Sequence, residues 1–116
     1  MPTMITLSLL LNIAVLLPVT GSILTNAGWV EAAYGPPSPA RGILLAVYLA
    51  ILAGSAALLW KPLPQMVAAL LLVQIAYKLL TPFTVGTLAN PVVLSNLAIA
   101  AFHAVTVTLI VRGTTA

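Results

Sequence analysis

The chain contains no cysteine, a single histidine, His103, and a single carboxylate side chain, Glu31. The missing cysteines exclude disulfides, thiolate metal sites and cysteine nucleophiles. One acid and one histidine can build neither a paired-carboxylate site nor a metal cluster, and no acid inside a span could orient a serine–histidine pair. The sequence also lacks a glycine-rich phosphate loop. We therefore expect no catalytic activity and no bound metal.

Charge is equally scarce, because 4% of the 116 residues are charged and 62% are hydrophobic, with a mean hydropathy of +1.21. Soluble domains usually carry about 25% charged residues. A chain this short could not bury so much apolar surface in water. The composition therefore predicts an integral membrane protein. Its cations, Arg41, Lys61, Lys78 and Arg112, are scattered, which argues against a nucleic-acid partner.

Four stretches reach the roughly 20 apolar residues that a helix needs to cross the hydrocarbon core. They cover residues 5–24, 39–60, 64–80 and 91–111. The first stretch lacks the basic segment of a signal peptide, so we expect a mature helix there. The prediction is one all-α domain, an antiparallel bundle of four transmembrane helices with a short interfacial helix between the first and second.

Proline marks the span boundaries. A capping residue followed by proline opens the second and fourth spans, at Ser38-Pro39 and Asn90-Pro91. Pro82 lacks an amide hydrogen and disfavours helix before it, so we expect it to kink or end the third span. The segment from Thr81 to Asn90 is then a loop or a short re-entrant extension.

The connection between the first two spans is the only one with recognisable content. Asn26 could cap a short helix, which Gly35 and the two prolines after it would stop. Trp29, Val30 and Tyr34 would then lie at the headgroup level, where amphipathic aromatic side chains are favoured.

Polar side chains are predicted to gather in the half of the membrane away from the termini. Alternating helix directions bring this candidate ligand-binding set together: Arg41, Tyr48, Gln74, Tyr77, Lys78, Asn96 and His103. His103 lies ~18 Å along its helix from Pro91, near the midplane. It either has a role or is a neutral histidine bonded to Asn96, Tyr48 or Gln74. The opposite half is predicted to be almost wholly aliphatic.

Two of the cations in this set have ordinary alternatives to a ligand site. Lys78 is within about a turn of its helix end and could simply extend its ammonium to the interface. Arg41 begins a helix and could anchor to headgroups or pair with Glu31.

The second span carries a ladder of small residues at four-residue spacing, Gly42, Ala46, Ala50 and Gly54. Small residues let helix backbones approach closely, which is the main attraction between helices in lipid. The ladder predicts a helix-packing face, either inside the bundle or against a second copy or another subunit.

These patterns favour a small accessory or structural subunit that docks on a larger membrane complex. Its polar half would bind the headgroup of a lipid or a quinone, and no other cofactor is expected. The alternative is a dimeric carrier of a small anionic or neutral solute. The small multidrug-resistance transporters have this size and span number, but they use a carboxylate where the first span here has Asn12, which disfavours a cationic substrate.

The layout resembles the DoxX-like membrane proteins, which are four-helix bundles of about this length. The resemblance rests on Tyr34-Gly35 before the second span and on Arg41-Gly42 followed by the apolar run Ile43–Leu45. It implies an accessory role beside membrane oxidoreductases.

Orientation depends on a nearly even distribution of cations. Lys61 and Arg112 lie on the side of the termini, and Arg41 and Lys78 lie on the other side. Because the longest loop holds Glu31 and such loops more often face outward, we expect a bacterial inner membrane protein with cytoplasmic termini.

Overall fold

The computed structural model describes residues 3–113. Its helices are α1 (Thr3–Thr25), α2 (Val30–Tyr34), α3 (Pro39–Trp60), α4 (Pro64–Val85) and α5 (Pro91–Val111). The four helices other than α2 are long and apolar enough to cross a membrane. The described part of the chain thus confirms an all-α fold with four candidate spans and one short additional helix.

The predicted caps of α3 and α5 are present. The Ser38 hydroxyl accepts a hydrogen bond from the Arg41 amide at 3.1 Å. The Asn90 side-chain oxygen accepts one from the Val92 amide at 2.8 Å. In both helices proline occupies the first turn, where its missing amide hydrogen costs nothing.

The ends of α1 and α2 correct the predicted role of Asn26. Asn26 adopts a positive φ of 51°, the left-handed conformation that commonly terminates a helix. Its amide donates to the Ile23 carbonyl at 3.2 Å, so Asn26 ends α1 instead of capping α2. Gly35 ends α2 as predicted, with φ 87°.

The α2 helix packs its side chains against the bundle, a contact that the predicted position at the headgroup level did not include. Val30 is completely buried, and the Tyr34 ring lies 6.0 Å from the Tyr48 ring in an edge-on arrangement. Only Trp29, the third member of the predicted interfacial set, remains substantially exposed. The side chains of Val30 and Tyr34 therefore pack on the bundle, and their placement at the headgroup level stays a prediction.

The α4 helix passes through Pro82 and continues to Val85, so its predicted end at residue 80 is too early. Pro82 cannot donate to the Lys78 carbonyl, four residues before it. The Thr81 hydroxyl donates to that carbonyl instead, at 2.7 Å. This substitute bond satisfies the acceptor that proline leaves open, and the helix ends at Gly86 in a left-handed conformation (φ 86°).

The long helices form two antiparallel pairs, with α1 against α3 and α4 against α5. An apolar core near the termini contains Ile5, Leu9, Val67, Leu71 and Val107. A second core lies towards α2. Contacts between the pairs are sparser than those within them, so the polar groups that join the pairs matter for the architecture.

The small-residue ladder does not pack inside this bundle. Gly42, Ala46 and Ala50 are exposed, and Gly54 is only half-buried. The opposite face of α3 carries Arg41, Tyr48 and Ser55, all buried, and polar groups must turn inward in a membrane. The predicted packing inside the bundle is thus wrong for Gly42, Ala46 and Ala50. The predicted contact of the ladder with another chain stays a prediction.

Candidate functional site

The half of the bundle that contains the termini is not dry, contrary to the prediction. It encloses a hydrogen-bonded network of buried side chains: Ser8, Asn12, Ser55, His103 and Thr106. Ser8 and Asn12 share one face of α1, and His103 and Thr106 share one face of α5. These side chains meet because both faces turn inward. We call this group the midplane network.

The hydrogen bonds around His103 fit a neutral ring that carries its hydrogen on Nε2. Asn12 Nδ2 donates to Ser55 Oγ at 3.0 Å, so Asn12 Oδ1 is left to accept from His103 Nε2 at 2.8 Å. His103 Nδ1 then accepts from the Ser8 hydroxyl at 3.1 Å. The Thr106 and Ser8 hydroxyls share a hydrogen bond at 2.7 Å, and with this tautomer of His103 Thr106 is the donor.

These hydrogen bonds give His103 a structural role, because they join α5 to α1. Its side chain is fully buried and both ring nitrogens are engaged, so neither is free to ligate a metal or haem. Its partners come from α1, and the predicted partners Asn96, Tyr48 and Gln74 are wrong. The sequence does not reveal that α5 faces α1 at this level.

Beyond the midplane network, α1 and α5 separate around a cavity of about 240 Å³. Leu16 lies one helical turn after Asn12, and Ile99 lies one turn before His103, and both line the cavity. The midplane network therefore closes the bundle below the cavity. We call this space the α1–α5 cavity.

The α1–α5 cavity has an aliphatic side and a polar side. Val15, Leu16 and Val19 of α1 form the aliphatic side. The polar side is formed by side chains from α2 to α5 and from the residue before α2: Trp29, Tyr34, Tyr48, Lys78, Ser95 and Asn96. Trp29 and Ser95 are exposed, so the cavity opens at the surface of the bundle between α1 and α5.

Lys78 points into the bundle and does not extend to the interface. Its side chain is 5% exposed, and Nζ donates to Asn96 Oδ1 at 3.1 Å. The Tyr77 ring lies 5.0 Å from Nζ, a favourable position for a cation. Asn96 Nδ2 in turn reaches Thr81 Oγ1 at 3.5 Å. The interfacial alternative for Lys78 does not fit this geometry.

A tyrosine pair covers the end of the cavity. The Tyr48 hydroxyl donates to the Tyr34 hydroxyl at 3.4 Å, and Tyr34 also contacts Trp29 with ring centroids 6.0 Å apart. Burial raises the pKa of the Tyr34 phenol above its usual range, so that group stays protonated and keeps a hydrogen to donate.

A second cavity, of about 170 Å³, lies on the other side of the same tyrosine pair. It shares Tyr34, Tyr48, Val92 and Asn96 with the α1–α5 cavity, and Tyr77 lines only the second one. The two spaces are therefore neighbours that these side chains separate.

Three of the predicted site residues, Tyr48, Lys78 and Asn96, line the α1–α5 cavity. Tyr77 lines only the neighbouring cavity. Arg41 lies apart and donates through Nη1 to the Gly35 carbonyl at 2.9 Å rather than to Glu31, so the proposed pairing with Glu31 is wrong.

Gln74 is buried as well, but its Nε2 donates at 3.4 Å to the Leu70 carbonyl of its own helix. It lines neither cavity, so nothing in the geometry connects it to a ligand.

Trp29, Tyr34 and Ser95 also line the α1–α5 cavity. The sequence pattern predicted an interfacial position for Trp29 and Tyr34 and no role for Ser95. The aromatic spacing in α2 gave no indication of which side would face the bundle. Ser95 precedes Asn96 in α5, and this adjacency is the one signal that could have found it.

No protein-family model, no curated protein and no solved structure matches this chain. The resemblance to DoxX-like proteins therefore stays a prediction.

Proposed function

We propose that this protein is a small integral membrane accessory subunit that binds the headgroup of a lipid or a quinone in the α1–α5 cavity. The observation that carries the proposal is the pairing of hydrogen-bond donors with an aliphatic opening. Lys78 and Tyr34 present hydrogens to a space that Val15, Leu16 and Val19 border. Such a space suits a molecule with a polar head and an apolar tail.

The outward face of α3 supports docking on a larger complex or on a second copy. Gly42, Ala46 and Ala50 are exposed there, and small residues allow close helix contact in lipid. The DoxX-like resemblance would make the partner a membrane oxidoreductase. We place the protein in a bacterial inner membrane with its termini in the cytoplasm.

Purification from native membranes in a mild detergent tests this proposal. The expected product is a larger complex, or a chain that retains about one lipidic molecule after washing, detected by mass spectrometry of an organic extract. A bare monomer that carries neither partner nor ligand would contradict it.

Tryptophan fluorescence provides a test on the isolated protein. The chain has two tryptophans, and Trp60 is 92% exposed at the opposite end of the bundle from Trp29. In a Trp60→Phe variant, a ligand in the cavity should change Trp29 emission saturably. The matched Trp29→Phe variant, which reports from Trp60, should show no saturable change.

A dimeric carrier of a small anionic or neutral solute is the second candidate. It is favoured by the two cavities that share Tyr34, Tyr48 and Asn96 as a common wall, because movement of that wall would connect them. Flux in reconstituted vesicles should then fall strongly in Lys78→Ala. Equal flux in the variant and the wild type would remove this candidate.

A further inference from the structure

We infer that the ligand of the α1–α5 cavity carries an anionic headgroup, such as the phosphate of an acidic phospholipid, and that Lys78 is the residue that selects it. This inference depends on the proposed function, because it assigns a chemical class to the same cavity. It excludes a neutral quinone as the preferred occupant.

First, the charge of the α1–α5 cavity comes from Lys78. Among residues 3–113, Lys78 is the only cationic side chain that lines the α1–α5 cavity. Glu31, the only side-chain carboxylate of the sequence, lines neither cavity. A buried cation in a protein interior normally has an anionic partner, because desolvation without one is costly. Lys78 has two neutral partners, Asn96 and the Tyr77 ring, and no described carboxylate pairs with its positive charge.

The second step is the count of donors. An ammonium group has three hydrogens, of which one is directed to Asn96 Oδ1, and no described residue accepts the other two. The Tyr34 hydroxyl accepts from Tyr48 and retains its own hydrogen. A ligand with several acceptor oxygens on one charged centre satisfies these donors together, and charge-assisted hydrogen bonds are the stronger kind.

The third step is the opening of the cavity. A free inorganic anion would have to leave water and enter a cavity whose lining includes Val15 and Val19 on α1 and Pro91 on α5. A lipid that already lies in the bilayer can place its headgroup at Lys78 and its tails along the aliphatic side. The geometry therefore favours an anionic lipid over a soluble anion.

The experiment measures the thermal stability of the full-length chain in a neutral detergent. Phosphatidylglycerol is added in one arm, phosphatidylcholine with the same acyl chains in a second, a short-chain ubiquinone in a third and inorganic phosphate in a fourth. Wild type should bind phosphatidylglycerol about tenfold more tightly than phosphatidylcholine, as expected for charge-assisted bonds. Inorganic phosphate alone should give no shift.

Lys78→Met should abolish this preference, so that the two lipids bind about equally. Lys61→Met is the matched control. Lys61 is exposed at the opposite end of the bundle, so its removal changes the net charge equally but leaves the cavity intact. If Lys78→Met does not fold, Lys78→Gln removes the charge and keeps a donor for Asn96, and the same loss is expected.

The outcomes separate this inference from the proposed function. A preference that survives in both Lys78 variants, or an equal loss in Lys61→Met, would overturn the inference. Saturable binding of ubiquinone without a preference for phosphatidylglycerol would overturn it while the proposed function stands. Full stabilisation by inorganic phosphate alone would overturn the assignment to a lipid, and no response to any additive would overturn both proposals.

Discussion

Both halves of the bundle hold buried polar side chains but use them differently. Near the termini, Ser8, Asn12 and His103 bond to one another across α1 and α5 and are sealed from the outside. In the half next to α2, Lys78 and Tyr34 keep hydrogens that no described residue accepts, and they face an open cavity.

This contrast separates polarity that serves the fold from polarity that is available to a ligand. A buried polar group whose partners are all within the chain stabilises one arrangement of helices. A polar group that retains donor capacity beside an opening has a use outside the chain. Burial and residue type alone do not make this distinction, because Lys78 and His103 are both buried.

The largest effect on folding is expected from Asn12, the centre of the midplane network. Asn12→Leu removes the bonds to His103 and Ser55 and leaves the His103 Nε2 hydrogen buried without a partner. We expect a loss of about 2 kcal/mol in the free energy of unfolding, measured by denaturation in mixed micelles. Ala14→Leu, at an exposed position of the same helix, is the control. Equal stability of the two variants would refute a structural role for the network.

A matched pair of threonines sharpens the comparison within α5. Thr106 is fully buried and bonds to Ser8 on α1, whereas Thr108 is exposed and donates to the Ala104 carbonyl of its own helix. Thr106→Val should cost about 1 kcal/mol in the same assay, and Thr108→Val close to zero. Indistinguishable costs would show that the bond between the helices adds nothing.

A smaller effect is expected from Thr81, whose main bond is local. Thr81→Val removes the donor that replaces the missing amide hydrogen of Pro82, at a cost of about 0.5 kcal/mol, because the Lys78 carbonyl is left without a donor. Pro82→Ala restores an amide donor and should make Thr81→Val nearly neutral. A double variant as unstable as Thr81→Val alone would contradict this explanation of the long α4.

The smallest effect on folding is expected on the outer face of α3. Ala50→Leu should leave the free energy of unfolding of the monomer unchanged within about 0.5 kcal/mol, because Ala50 is exposed. If the ladder contacts a second copy, the same change should lower the dimer fraction in crosslinking or analytical ultracentrifugation. A large loss of monomer stability would place the ladder inside the fold after all.

The sequence predicted the parts of this molecule that depend on local chemistry. Apolar length identified the spans, and Ser38 and Asn90 identified two helix starts, since a cap acts within a few residues. The end of α4 was predicted wrongly because the effect of Pro82 depends on whether a neighbour can replace its donor, and Thr81 does.

The site was predicted only in part because helix adjacency is not local. Alternating helix directions indicated that Tyr48, Lys78 and Asn96 share a level of the bundle. It did not indicate that α5 faces α1, and this neighbour decides whether His103 joins the cavity or the midplane network. Likewise, nothing in the sequence of α2 shows that Tyr34 turns towards Tyr48.

The most direct test of the contrast between the two halves is the melting temperature of Lys78→Met with and without phosphatidylglycerol. We expect a lipid-free melting temperature close to that of the wild type, because removal of a buried, unpaired charge offsets the loss of the donor to Asn96. We also expect the increase on adding lipid to be lost. A lipid-free melting temperature as low as that of Asn12→Leu, with the lipid response intact, would contradict this expectation and make Lys78 a structural residue like His103.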